Sequence, residues 1–231
     1  SDGLTPSAVT ISCLVGFAAE VGELERAVGF FQRLARLTTP SIRAYMTVLR
    51  VHAKRQDWDS TLATLRDMQS HGVRPDSLAL NVVLATGVAA DKVEAVAALV
   101  AEADEQRPPI SDVVSYNTLA KGYAQRCDAD GPVQAIARMR RRGLAPNSIT
   151  YNTAMDAAVR GGQSARAWGL LAEMRACGLR PDKFTCSILV KGLSRGPSST
   201  EQVEGALELL RELDGALDAA LRSTLYHAVL E

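Results

Sequence analysis

The chain of 231 residues is longer than one ordinary compact domain, so it predicts either two globules or one elongated array. Its composition is 47% hydrophobic but only 5% aromatic, which favours helices over strands. Lys and Arg number 26 and so do Asp and Glu, which excludes the overall positive field of a non-specific nucleic-acid binder, and no apolar run of about 18 residues predicts a membrane span.

The clearest feature of the sequence is an internal repeat of about 35 residues. Pro146 and Pro181 lie 35 positions apart, as do Tyr116 and Tyr151. After a leader at residues 1–7, this register predicts six repeats, numbered one to six here: 8–41, 42–76, 77–112, 113–147, 148–182 and 183–218. Repeat one is degenerate and repeat six is irregular. Residues 219–231 are predicted to form the lone helix of a further, partial repeat.

Each repeat is predicted to form a helical hairpin, and repeat five carries the clearest pattern. Apolar stripes at helical spacing predict its two helices: Tyr151, Ala154, Met155 and Ala158 in the first, and Ala167, Leu170, Leu171 and Met174 in the second. Gly178 predicts a left-handed turn at the end of the second helix, and Asp182 is placed to cap the next. Since no hairpin buries its apolar face alone, we expect an all-α, right-handed α-solenoid of stacked helix-turn-helix repeats.

Repeat six is expected to depart from this pattern. Residues 195–202 read as a long insertion that delays its second helix, which is predicted at residues 203–213.

Residue types that carry catalysis or bind metals do not form a recognisable site. The four cysteines show no metal-ligand spacing and are predicted to be reduced and mostly packed: Cys13, Cys127, Cys177 and Cys186. Two D-x-D pairs lie at predicted turns, where polar residues are routine: Asp57 with Asp59, and Asp128 with Asp130. No P-loop, nucleophile elbow or zinc-deaminase motif occurs. We therefore predict no enzyme activity, catalytic residue, metal, cofactor or small-molecule substrate.

Two repeats carry a recognisable family pattern. The segments VVSYNTLAKGY (113–123) and SITYNTAMDAA (148–158), closed by GLAPN (143–147) and GLRPD (178–182), resemble P-type repeats of the pentatricopeptide repeat family. The period of about 35 residues and the Tyr-Asn-Thr triplet disfavour the tetratricopeptide repeat. The resemblance implies sequence-selective binding of single-stranded RNA, with one base read by each repeat. It also implies a role in RNA stability, processing or translation in the chloroplast or mitochondrion.

The resemblance implies which residues meet the RNA. The fifth and last residues of a repeat would contact the base edge: Asn81 with Asp112, Asn117 with Asn147, Asn152 with Asp182, and Ser187 with Asp218 if the latter closes repeat six. The second residue would stack on the base: Leu78, Val114, Ile149 and Phe184. Repeat two departs from the pattern with Met46 and Arg43, which disfavours a base contact there. The alternative for the Asn and Asp residues is that they cap helices.

Cations are needed on the same face if RNA phosphates are to be bound. Position thirteen of the repeats supplies Lys54, Arg160 and Arg195. A separate run, Arg138 with residues 140–142, is predicted to complement a helix dipole. The neutral net charge and Met46 favour a second hypothesis, a structural subunit of a larger assembly such as an organellar ribosome, which binds protein or structured RNA.

Overall fold

The computed structural model describes residues 6–194, 199–213 and 219–230. Within these residues the chain forms thirteen α-helices and no strand, so the prediction of an all-α fold is confirmed. In chain order they are α1 (Ala8–Glu20), α2 (Leu24–Leu37), α3 (Ile42–Lys54), α4 (Trp58–Ser70), α5 (Ser77–Ala89), α6 (Val93–Glu105), α7 (Val113–Gln125), α8 (Asp130–Arg141), α9 (Ser148–Arg160), α10 (Ser164–Ala176), α11 (Lys183–Leu193), α12 (Thr200–Glu212) and α13 (Ala219–Leu230). The first helix of each hairpin begins at the first residue of a predicted repeat. In the described part of the chain, no helix is long and apolar enough to cross a membrane.

Recurrent capping residues set the starts of the first helices. Asp76, Asn147 and Asp182 each accept a hydrogen bond from the backbone N–H three positions on, at 2.7 to 3.1 Å. At the other end of a hairpin, Gly178 has a φ of 76°, so the predicted left-handed turn after α10 is confirmed. The last residue of a repeat, predicted to contact a base, is therefore also the cap of the following helix.

The chain divides into two compact bodies, Ser1–Ser115 and Tyr116–Glu231. In the N-terminal body, a tyrosine joins the two helices of the second hairpin. Tyr45 of α3 is fully buried, and its ring makes a T-shaped contact with that of Phe31 at a centroid distance of 5.2 Å. Its hydroxyl donates to Asp67 of α4 at 2.8 Å. Burial and this carboxylate raise the pKa of Tyr45, so the phenol stays neutral and the link persists.

The C-terminal body is organised around repeat five. All eight residues of the two predicted stripes are buried, none of them more than 5% exposed. Arg140 of α8 donates to the Tyr151 hydroxyl at 2.5 Å and forms an ion pair with Glu173 of α10. Arg138, Arg140 and Arg141 do lie in the last turn of α8, as the dipole hypothesis requires. Arg140 in addition ties that turn to the next hairpin.

The predicted long insertion in repeat six is wrong. Helix α12 begins at Thr200 rather than at residue 203, because the Ser199 side chain accepts from the Gln202 N–H at 3.2 Å while the Gln202 side chain accepts from the Ser199 N–H at 3.1 Å. This start lies 17 residues after that of α11, the same offset as between α7 and α8. Residues 195–198 of the predicted insertion lie outside the described residues.

The prediction that most cysteines are packed is also wrong. Cys13, Cys127 and Cys177 are exposed, and Cys186 is buried. Cys177 follows the last residue of α10 as its C-terminal cap, and Cys127 lies in a turn with a φ of 57°, so both occupy surface connections rather than a core stripe. Burial raises the pKa of the Cys186 thiol to about 11.

Candidate nucleic-acid interface

The second residue of each predicted base-reading repeat presents an apolar side chain to solvent. Leu78 is 50% exposed and Val114 54%, while Ile149 and Phe184 are 62% and 61% exposed. Core packing does not bury these side chains, although all four occupy the same position of their repeats. Val9 occupies the same position in repeat one and is 74% exposed, although the degenerate pattern of that repeat did not indicate it.

A hydrogen-bond network of three residues recurs beside this surface. In repeat three, the Asn81 amide donates through Nδ2 to the Asp112 carboxylate at 3.1 Å. The Ser115 hydroxyl, three positions further on, donates to Oδ1 of Asn81 at 2.6 Å. Ser115 also donates its backbone N–H to Asp112 at 2.9 Å, which is the helix cap. The fifth residue, the last residue and the third residue of the next helix thus form one closed set.

The next two repeats contain the same network. Asn117 donates to Asn147 at 3.3 Å and accepts from the Thr150 hydroxyl at 2.6 Å. Asn152 donates to Asp182 at 3.1 Å and accepts from the Thr185 hydroxyl at 2.7 Å. The structure therefore brings together each pair that the sequence analysis predicted in the central repeats. The third residue of the following helix is a further partner, which the repeat register had not indicated.

The orientation of each amide in the network follows from a backbone group. The Thr150 N–H can only donate, so Asn147 must present Oδ1 to it, at 3.1 Å. Because that oxygen also receives the Asn117 bond, Asn117 must present Nδ2 and turn its own Oδ1 to the Thr150 hydroxyl. Within the described residues, Nδ2 of Asn147 forms no hydrogen bond, and neither does Oδ2 of Asp182 in the next network. These two atoms remain able to bind a ligand.

The capping alternative applies to only part of the network. Asn147 and Asp182 do cap α9 and α11. Asn117 and Asn152 lie inside their own helices and cap neither of them. Ser187, the fifth residue of repeat six, is partly buried, and its predicted partner Asp218 lies outside the described residues.

The predicted phosphate-binding cations differ in their surroundings. Lys54 is exposed at the end of α3. Arg160 forms an ion pair with Asp156 of its own helix at 2.8 Å, which neutralises its charge locally. Arg195 lies outside the described residues. Position nine was not predicted to bind phosphate, although it carries a cation in repeats two, four and six. These cations are all exposed: Arg50, Lys121 and Lys191.

Three of the four D-x-D residues have structural roles. Asp57 caps α4 by accepting from the Ser60 N–H at 3.0 Å, and Asp128 accepts from the N–H of Asp130 at 2.9 Å. Asp130 in turn receives Arg166 at 2.6 Å. In the part of the chain that the structure describes, no group of three or more His, Cys, Asp or Glu residues is arranged to hold a metal ion.

Known proteins share both the sequence pattern and the fold. The sequence profile of the PPR repeat family matches residues 111–160 and 146–195. A chloroplastic pentatricopeptide repeat-containing protein 10 of Zea mays is 35% identical over 141 residues, which is 60% of this chain and 18% of that protein. A mitochondrial 15S rRNA processing factor of Yarrowia lipolytica is 26% identical over 182 residues, or 75% of this chain and 23% of that protein. The chain thus spans less than a quarter of either relative.

The structural comparison agrees with the sequence comparison. The crystal structure of the pentatricopeptide repeat protein PPR10 in complex with an 18-nt psaJ RNA element has a TM-score of 0.68 to this chain at 21% identity. The match covers 97% of this chain and 31% of that one. The chain therefore carries repeats of the PPR repeat family at residues 111–195, is similar to pentatricopeptide repeat proteins in sequence, and has the all-α solenoid fold seen in their structures.

Proposed function

We propose that the chain binds single-stranded RNA with sequence selectivity and catalyses no reaction. The observation that carries this proposal is the network formed three times by the fifth and last residues of a repeat and the third residue of the next helix. It holds an amide beside a second polar group, next to an exposed apolar side chain. A base has an apolar face and a hydrogen-bonding edge, and the two parts of this surface match them.

The free atoms of the network give each repeat a chemical preference. In repeat five, Nδ2 of Asn152 retains one hydrogen and Oδ2 of Asp182 can accept, so the pair offers a donor beside an acceptor. Uracil presents a carbonyl next to its N3–H group and complements that pair. In repeat four, Asn117 and Asn147 offer two donors, which complement the O2 and N3 acceptors of cytosine. We therefore propose uracil for repeats three and five, and cytosine or uracil for repeat four.

The exposed side chains at position two would hold the base by its faces. Leu78, Val114, Ile149 and Phe184 are proposed to stack on bases in their repeats. Aromatic stacking contributes about 1 to 3 kcal/mol per base, so Phe184 should contribute most. The Lys183 ammonium lies 5.4 Å from the centroid of that ring and adds positive charge at the same place.

Fluorescence anisotropy with short RNAs tests the proposal. An RNA with U-C-U in the register of repeats three to five should bind about tenfold or more tighter than its A-A-A counterpart. Asn147→Asp keeps the cap and converts the second donor to an acceptor, so it should move the preference at the middle position from cytosine to uracil. Equal affinity for all sequences, with the wild type and with Asn147→Asp, would rule out base reading.

Salt dependence distinguishes the alternative function, a structural subunit that grips protein or structured RNA. The Arg160–Asp156 ion pair and the neutral net charge favour this alternative. If RNA phosphates lie along the interface, affinity should fall steeply with salt, and Lys54→Gln should weaken all RNA sequences equally. Arg141→Gln, at the end of α8, is the control that should change little. An interaction independent of salt would support the alternative.

Chloroplasts and mitochondria are the proposed site of action. The relatives in Zea mays and Yarrowia lipolytica are described as chloroplastic and mitochondrial, and the latter as an rRNA processing factor. By this analogy we propose a role in organellar RNA stability, processing or translation. RNA sequencing after crosslinking to the native protein would identify the transcripts and the step.

A further inference from the structure

The first two hairpins form a cleft that the base-reading pattern does not use. It lies between α1 and α3, within the N-terminal body, and its volume is about 490 Å³. Arg43, Arg50 and Lys54 of α3 line it, and all three are exposed. Ile42 and Met46 supply apolar wall on the same helix. The cleft therefore combines a row of cations with apolar surface.

The three cations follow one line along α3. They are separated by seven and four residues, which places them on one side of the helix. At a rise of about 1.5 Å per residue, Arg43 and Lys54 are about 16 Å apart along the axis. A single small anion cannot contact the whole row, whereas an extended polyanion can.

Helix stability explains only part of this row, because Lys54 lies in the last turn of α3 and complements the helix dipole, whereas Arg43 lies in the first turn, where a cation does not. Arg50 and Lys54 are like charges four positions apart, an arrangement that destabilises a helix. Repeat five has Asp156 and Arg160 at the same two positions, and there they form an ion pair. Among the residues that the structure describes, none of the three cations of the cleft takes part in an ion pair. Their arrangement favours an anion from outside the chain.

Two carboxylates share the cleft and bear on its charge. Asp76 caps α5 by accepting from the Ala79 N–H at 2.7 Å, so one of its oxygens is committed to the fold. Glu20, the last residue of α1, is exposed and lines the same space. Three cations against two carboxylates leave the lining positive. Glu20 should oppose the binding of an anion. Replacing Glu20 should therefore strengthen binding, whereas replacing one of the cations should weaken it.

We propose that this cleft binds the phosphodiester backbone of the RNA strand without reading a base. Met46 stands at the base-reading position of repeat two, and its thioether is only a weak acceptor, so the nucleotide held here is not selected by its edge. Arg43 stands at the stacking position, where a planar guanidinium can pair with phosphate or stack on any base. The proposal rests on the proposed RNA binding and makes repeat two an anchor that is indifferent to sequence.

The test uses the full chain and an RNA that carries one variable nucleotide directly beside U-C-U, at the end that repeat two would contact. Arg43, Arg50 and Lys54 are all changed to Gln, and a matched variant with Arg43→Lys, Arg50→Lys and Lys54→Arg keeps the charges. Each phosphate contact contributes about 0.7 to the slope of log K against log salt for single strands, so the Gln variant should lower that slope by about 2. At about 0.1 M salt its affinity should fall about a hundredfold for every sequence, because a slope lower by about 2 acts over the roughly tenfold range from about 1 M to about 0.1 M. The charge-conserving variant should keep the wild-type slope, and circular dichroism should show that both variants remain folded.

Two further measurements separate the backbone from the base. Replacing the phosphodiester next to the variable nucleotide by a neutral methylphosphonate should weaken binding to the wild type but not to the Gln variant. Glu20→Gln should strengthen binding severalfold. A preference for one base at the variable nucleotide, or an unchanged salt slope in the Gln variant, would overturn the anchor while leaving base reading by repeats three to five intact. If the wild-type chain bound no RNA at all, both the anchor and the proposed function would be wrong.

Discussion

The hydroxyl of Thr185 donates a hydrogen bond to Oδ1 of Asn152 at 2.7 Å. Thr185 belongs to repeat six and Asn152 to repeat five, so a side chain of one repeat orients the amide that is proposed to contact the base in the repeat before it. The same hydroxyl accepts from the Asp182 N–H at 3.1 Å and completes the capping box of α11. One small side chain thus takes part both in the start of a helix and in the geometry of the proposed base contact.

We expect Thr185→Val to weaken both the capping of α11 and the discrimination between bases at repeat five. Loss of the capping hydroxyl should lower the free energy of unfolding by about 1 to 2 kcal/mol. The freed Asn152 amide should rotate, and discrimination between uracil and cytosine at this position should fall several fold. Thr153→Val is the control, because the Thr153 hydroxyl is exposed and bonds only to the Ile149 carbonyl, at 2.8 Å. Thermal unfolding and anisotropy on both variants check the prediction, and an effect of equal size in the control would contradict it.

Asn152→Ser tests the base-reading role of the amide itself. By family resemblance, Ser followed by Asp is associated with guanine, so the preference at this position should shift from uracil towards guanine. A mismatched base costs about 1 to 3 kcal/mol, which corresponds to roughly tenfold or more in relative affinity. Loss of the bonds to Asp182 and Thr185 should also lower stability by about 1 kcal/mol. Competition binding with uracil and guanine variants measures the shift, and an unchanged preference would show that Asn152 has a structural role alone.

Asp57 should make the stability of the second hairpin depend on pH. The Ser60 hydroxyl and its backbone N–H hold the pKa of Asp57 below its ordinary range. A lowered folded-state pKa stabilises the protein above the unfolded value of about 4, and this contribution is lost as the pH falls through the folded value. Asp57→Ala should lower the free energy of unfolding by about 1 kcal/mol at pH 7, and the difference from wild type should shrink below about pH 4. Asn caps as well as Asp and does not titrate, so the difference between Asp57→Asn and Asp57→Ala should stay constant.

Two glycines in the C-terminal body should respond to Ala in opposite ways. A Cβ on Gly131 would lie 2.2 Å from the Tyr123 ring, so Gly131→Ala should cost about 1 to 3 kcal/mol. A Cβ on Gly169 meets nothing within 4 Å, and the residue lies inside α10. Gly169→Ala should therefore stabilise the protein by about 0.5 to 1 kcal/mol. Denaturant unfolding of the two variants measures both signs.

The cysteines should label in two classes. Cys13, Cys127 and Cys177 are exposed and should react with a maleimide under native conditions, while Cys186 should react only after unfolding. Burial and its raised pKa of about 11 leave little Cys186 thiolate at neutral pH. Peptide mapping by mass spectrometry assigns each site. Rapid native labelling of Cys186 would contradict the burial of its side chain.

Local signals made the helices predictable. Gly178 and Asp182 each act on their own neighbours, so the sequence predicted the end of α10 and the start of α11 from chemistry that is visible in a few residues. The start of α12 was missed because the Ser199 and Gln202 capping box was hidden within a stretch rich in Gly, Pro and Ser that is typical of loops.

Contacts between side chains were harder to predict from the sequence than the helix ends. Arg160 was predicted to bind RNA phosphate from its position in the repeat, and a repeat position does not show whether a side chain already has an ion-pair partner. That partner, Asp156, lies one helical turn earlier in the sequence. The link between Asn152 and Thr185 spans 33 residues. Its signal was the hydroxyl residue that recurs three positions after each cap, as Ser115, Thr150 and Thr185.

The hydrogen bond between the fifth residue of a repeat and the third residue of the next repeat also determines where segments of the chain can be exchanged by protein engineering. A segment exchanged at the repeat boundaries, such as residues 113–147, would carry Asn117 and Asn147 but not Thr150, so the residue that bonds to Asn117 would come from the host. A segment shifted by three residues, 116–150, transfers all three members of the network together. The transplantable module for this protein is therefore offset from its visible repeat, and chimaeras joined within the first turn of the first helix should retain the donor's base preference better than those joined at the proline-rich turns.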